Sequence, residues 1–116
     1  MERRYRLSRS RDFAAVYRQG RSVSTRYLTV HWFPREDDPD GAPRLGLAVP
    51  KSVGSAVARN RLKRQLRETW RASAPSARVG HDYVLVARAG IAEPADSRGA
   101  AWLAEQIAEA LGKTDA

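Results

Sequence analysis

The sequence predicts an α+β fold, a two-layer sandwich with helices on one sheet in the order helix, short strand, strand, strand, helix, strand, helix (αβββαβα). Three observations predict it. Residues 27–33, 44–50 and 82–88 are short runs of β-branched, aromatic and aliphatic side chains bounded by turn formers. Residues 55–71 place Ala58, Leu62, Leu66, Thr69 and Trp70 on one arc at about 100° per residue, the spacing of a half-buried helix. With 116 residues and no internal repeat, the chain has the size of a single domain, 1–116, with one modest core.

Residues 1–9 form an arginine-rich arm, expected to be mobile when free. Ser10 then offers an N-cap and Asp12 suits the first turn of a helix. Phe13, Val16 and Tyr17 follow as one apolar stripe, and Gly20 closes the helix. Such a stripe is ordinarily core; lying among arginines, it also suits stacking on unpaired RNA bases. Residues 21–24 suit a short strand. In residues 27–33 alternation sets Leu28, Val30 and Trp32 on the core face, and Tyr27, Thr29, His31 and Phe33 on the other.

Residues 34–43, with Glu36, Asp37, Asp38, Asp40 and Gly41, read as a hairpin loop. In residues 44–50, Leu45, Leu47 and Val49 face one way and Arg44, Gly46 and Ala48 the other. The small residues leave room for a packed helix or for something else laid on the sheet. After the central helix, residues 72–80 are a loop, 82–88 a buried-looking strand, and 90–96 a second loop containing Pro94. A last helix, 97–112, is capped by Asp96 or Ser97, buries Ala100, Leu103, Ile107, Ala110 and Leu111, and ends at Gly112. Its outer face, with Glu105 and Glu109, reads as scaffold.

A net charge of +8 favours an anionic partner. The charge is unevenly placed: residues 44–78 carry nine basic side chains and one acidic, residues 79–116 three and six, so the C-terminal third faces something other than that partner. The absence of cysteine excludes disulfides and thiolate metal sites and fits a reducing cytoplasm. No apolar run approaches the ~20 residues that span a bilayer. The basic N-terminus lacks the apolar stretch of a secretory signal. The expectation is a cytoplasmic protein with no membrane partner.

The charge concentrates on the helix of residues 55–71. Pro50 and Gly54 precede it, Ser55 is its N-cap, and Ser73 and Pro75 end it. Six basic residues fall within positions 59–71, against the single acid Glu68. Asn60, Arg61, Lys63, Arg64, Arg67 and Arg71 lie opposite the apolar arc; Arg59 sits on the core side in the first turn. A charged helix face is ordinarily just solvated. Here only Arg64 has an acid four positions on, Glu68; the other cations lack the i+4 acid that would pair with them. Six like charges repel, and a polyanion relieves that repulsion. A zipper-type DNA-binding arm would need heptads beyond Arg71, where Ser73 and Pro75 break the helix. No second helix stands close enough for a helix-turn-helix. RNA is the expected partner and DNA is not.

The run KSVGSAVARNRLKRQLRE resembles the RNR signature of the bacterial ribonuclease P protein family, with Arg59, Asn60 and Arg61 as the triplet and Lys63, Arg64 and Arg67 continuing it. The resemblance covers about residues 6–88. It departs at Pro50, where the family usually has serine, and at Ser52, where it usually has a second lysine. It implies a ribosomal-protein-like fold with a left-handed strand–helix–strand crossover. It also implies the small subunit of a ribonucleoprotein endonuclease whose RNA subunit, with Mg²⁺ held mainly by that RNA, cleaves the 5′ leader from precursor tRNA. By position, Arg59, Asn60, Arg61, Lys63, Arg64 and Arg67 would meet the catalytic RNA. Phe13, Tyr17 and His31, with Lys51 at the rim, would line a cleft for the leader. A monomer in a 1:1 complex is expected.

The residues themselves offer no catalytic constellation. His31 and His81 lie on different elements, and no pair of carboxylates has helical or strand spacing within the basic region. No catalytic or metal-binding side chain is therefore expected, and the chemistry is assigned to the RNA. The alternative is a general RNA-binding module, ribosomal or chaperone-like, with no enzyme attached.

Overall fold

Residues 81–87 organise the molecule. The computed structural model describes residues 20–35, 38–73 and 77–114. Within them four strands form one sheet: β1 (Arg21–Ser24), β2 (Leu28–Pro34), β3 (Arg44–Ala48) and β4 (His81–Ala87), in the order β1-β2-β4-β3. β4 pairs antiparallel with β2 and parallel with β3. Asp82, Tyr83, Val84 and Leu85 are all buried, so this strand is covered on both faces and belongs in the middle of the sheet.

The expected hairpin between β2 and β3 is therefore wrong: β4 lies between them. Residues after β2 pass over the end of β4 instead. The Gly80 N–H donates to the Gly41 carbonyl (2.6 Å) and the Arg35 N–H to the Gly80 carbonyl (2.6 Å). Gly80 is obligatory there, with φ +70° and a position where a Cβ would collide with the Pro39 carbonyl.

A parallel β3–β4 pair demands a crossover, and the helix α1 (Ala56–Ser73) supplies it. α1 and the C-terminal helix α2 (Ala92–Lys113) share one core with the sheet. Leu62, Leu66 and Trp70 of α1 and Leu103, Ile107 and Leu111 of α2 meet Leu28, Val30, Leu45, Tyr83 and Leu85 of the sheet. Each fully buried aliphatic side chain contributes about 1.5–3 kcal/mol. Trp70 leans on Tyr83 with ring centroids 5.5 Å apart.

Tyr27, expected on the opposite face, packs edge-on to Trp102 (5.1 Å) on the helix side. It precedes β2, inside the turn where the Thr25 N–H donates to the Leu28 carbonyl, so strand alternation does not reach it.

Two further boundaries differ. α2 starts at Ala92, because Pro94 falls in the first turn, where its missing N–H costs nothing. It bends at Gly99 (φ +81°, ψ −167°) and runs past Gly112 to Lys113, where the Thr114 hydroxyl donates to the Leu111 carbonyl (2.6 Å). A single 3₁₀ turn, Lys51–Val53, separates β3 from α1. The expected first helix, and with it Phe13 and Tyr17, lies outside the described residues, as does the arm 1–9.

Candidate nucleic-acid interface

α1 carries the basic surface. The Ser55 hydroxyl accepts from the Ala58 N–H (3.1 Å), the N-cap that its sequence predicts. No acid stands in the first turn, so nothing offsets the positive end of the helix dipole. Burying Leu62, Leu66, Thr69 and Trp70 turns Asn60, Arg61, Arg64 and Arg71 to solvent, with Lys63 and Arg67 half-buried at the flanks. Arg59 is half-buried too, its Nε donating to the Gly54 carbonyl (3.2 Å) and closing the turn before the helix.

Lys63, Arg64 and Arg71 form no ion pair with any described residue. Arg64, Arg67, Glu68 and Arg71 line a concavity of about 170 Å³, three arginines and one glutamate. A larger groove, about 450 Å³, runs between α1 and α2 over Ala72, Ala100 and Leu103. Small apolar residues line most of it, and it holds none of the arginines.

One cation is paired in a way the sequence did not disclose. The Arg61 Nε lies 3.0 Å from Asp96 Oδ1, and the Gln65 Nε2 donates to the same oxygen at 3.0 Å. Asp96 comes from α2, expected to be scaffold. Periodicity within α1 cannot reveal an acid that arrives from another helix.

The second surface is the sheet face away from α1 and α2. Strand register and alternation put Ser24, Thr29, Val86 and Ala48 in one row across it. Ser22, His31, Val84 and Gly46 make the next row, and Phe33, Asp82 and Arg44 the third. Phe33 and Val86 pack on Val84 as a small separate apolar cluster. The third row is held by a bidentate pair, with Arg44 Nε and Nη2 donating to the two Asp82 oxygens (2.8 and 2.7 Å); Arg35 adds a contact at 3.8 Å. This trio, too, was not visible in the sequence.

His31 is half-buried in the middle row, and burial lowers its pKa below the ordinary value, which keeps the ring neutral near pH 7. At that pH the ring therefore carries no charge. Lys51 is exposed in the 3₁₀ turn just beyond β3, past the first row, two strands away from His31. The structure thus gathers Asn60, Arg61 and Arg64 on one exposed helix face and sets His31 and Lys51 on a different part of the molecule. Among the described residues, no three His, Asp or Glu side chains cluster as a metal site would require. None of the described helices is long and apolar enough to cross a membrane.

The family model for ribonuclease P matches residues 1–114. The chain belongs to the ribonuclease P protein family. It is similar to the ribonuclease P protein component of Exiguobacterium sp., 41% identical over 88 residues that span 76% of this chain and 74% of that one. Among solved structures it is similar to the RNase P protein of Staphylococcus aureus (27% identity, TM-score 0.77, covering 95% of this chain and 94% of that one). It is likewise similar to the RNase P protein of Thermotoga maritima (29% identity, TM-score 0.79, covering 93% and 96%). As a ribonuclease P protein component, the chain is part of an endoribonuclease complex with an RNA partner and has a role in tRNA processing.

Proposed function

We propose that α1 docks on the catalytic RNA of ribonuclease P and that the outer sheet face receives the 5′ leader of precursor tRNA. The protein thereby supports Mg²⁺-dependent hydrolysis that frees the mature 5′ end. One observation carries the first part: Asn60, Arg61 and Arg64 stand exposed on a helix whose N-terminal turn holds no acid. Such a face binds phosphates through charge and offers one directional amide at Asn60. The second part rests on the outer sheet face, where neutral His31 on β2 and the small Gly46 on β3 share one row across Val84, with Phe33 and Ala48 in the rows on either side; rings among small residues suit an extended single strand. Phe13 and Tyr17 are proposed to border the same cleft, with Lys51 at its rim.

The described carboxylates and histidines do not fit a metal centre of the protein's own, so this reading assigns Mg²⁺ and the chemical step to the RNA. A 1:1 complex in the cytoplasm is the proposed working form.

Reconstitution tests this reading. The full chain and its cognate RNA subunit should cleave precursor tRNA in Mg²⁺, and affinity should rise as the leader lengthens to several nucleotides. Phe13→Ala or Tyr17→Ala should remove that gain, about tenfold for one stacked base at ~1–3 kcal/mol, and leave affinity for mature tRNA unchanged. Equal losses at every leader length would show that these rings serve packing alone. RNA binding with no stimulation of cleavage would leave a general RNA-binding module.

A further inference from the structure

The pair between Arg61 and Asp96 links the basic helix to an element outside it. A single oxygen, Asp96 Oδ1, accepts a hydrogen bond from Gln65 Nε2 and forms an ion pair with Arg61 Nε, each at 3.0 Å. Arg61 and Gln65 are one helical turn apart on α1, so one carboxylate ties two successive positions of the basic helix. Asp96 belongs to the first segment of α2, ahead of the break at Gly99, which separates residues 92–98 from the longer segment packed under the sheet. The pair is open to solvent, with side-chain exposures of 62% for Arg61 and 47% for Asp96. It therefore adds little to folding stability.

We propose that Asp96 is a positioning residue for RNA binding: it holds Arg61 by its Nε and leaves the two terminal nitrogens of the guanidinium for a phosphate. This rests on the reading of α1 as the RNA-docking surface. An arginine with one edge anchored keeps the other edge of its fork for a bidentate contact. An unanchored long side chain must be ordered on binding, at a cost corresponding to roughly two- to tenfold in affinity. A bare carboxylate beside a phosphate site would act the other way, by repelling RNA. The sign of the effect therefore separates positioning from simple competition.

The experiment measures affinity of the full chain for its catalytic RNA subunit, with thermal unfolding in parallel. Asp96→Ala should bind about three- to tenfold more weakly although it makes the protein more positive, with its unfolding midpoint unchanged. Asp96→Glu keeps the carboxylate and should recover most of that loss. In an Arg61→Ala background, Asp96→Ala should have no further effect, since the carboxylate acts through that guanidinium. Equal or tighter binding by Asp96→Ala overturns the proposal, and so does an undiminished loss in the Arg61→Ala background. If Arg61→Ala by itself leaves affinity intact, the docking role of this arginine fails first and the positioning role falls with it. If Arg61→Ala weakens binding and Asp96→Ala does not, only the positioning role fails.

Discussion

Asn60 and Arg64 sit on the same exposed helix face, yet one is neutral and the other charged. Their losses should therefore differ in kind. Arg64→Ala should weaken binding of the RNA subunit and flatten its salt dependence by about 0.7–0.9 log unit per log unit of salt, the share of one phosphate contact. Asn60→Ala should cost about 0.5–1.5 kcal/mol of binding with the slope unchanged, because it removes a directional hydrogen bond and no charge. Titrations across salt concentration distinguish the two; identical slopes for wild type and Arg64→Ala would exclude this face from the interface. His31 has a different signature. Burial lowers its pKa, so the unfolded chain takes up a proton more readily than the folded one. Its contribution to stability is complete above the ordinary value near 6.5 and is lost as pH falls through the lower, folded value. The urea midpoint should accordingly decline as pH falls below about 6.5, and His31→Asn should reduce that decline. Parallel pH profiles would show that the ring titrates alike in both states.

At the scale of elements, the passage from β2 to β3 is the part most constrained by a single residue. Gly80 has a positive φ, touches Pro39, and is hydrogen-bonded on both sides, to Gly41 and to Arg35. Gly80→Ala should destabilise the protein by about 1–2 kcal/mol from the backbone conformation alone, and further from the collision. A lowered urea midpoint with an unchanged m-value is the expected result. α1 contrasts with this passage. Its cap, its core stripe and its charged face all arise within eighteen residues, which is why its sequence describes it so fully. β4 was legible in part. An apolar run without alternation marks a strand covered on both faces, and such a strand belongs at the centre of a sheet. That argument, applied to residues 82–88, places β4 inside the sheet but does not name its neighbours.

For the whole molecule, the proposed reading separates charge from chemistry. The described side chains supply cations, amides and rings, and His31 and His81 stand on different strands, β2 and β4, well apart along the sheet register. His31→Ala and His81→Ala, singly or together, should leave the single-turnover cleavage rate of the saturated holoenzyme nearly unchanged. Removing a general acid or base ordinarily costs about 10²–10⁴-fold, so a loss of that size would return part of the chemistry to the protein. The same holoenzyme should still lose affinity for RNA steeply as salt rises, since the net charge of +8 is concentrated outside the C-terminal third.

By itself the sequence determined the identity of the four strands, the cap, core face and cationic face of α1, and RNA as the class of partner. Each depends on residues a few positions apart, where helical or strand periodicity acts directly. Only the tertiary structure decided which strands are neighbours and which acids answer which arginines. Asp96 reaches Gln65 from 31 residues away and Asp82 reaches Arg44 from 38. Pairings at that range follow from how the apolar faces of helices and sheet stack. Periodicity reports where a side chain points from its own element; what it meets there depends on the packing of all the others.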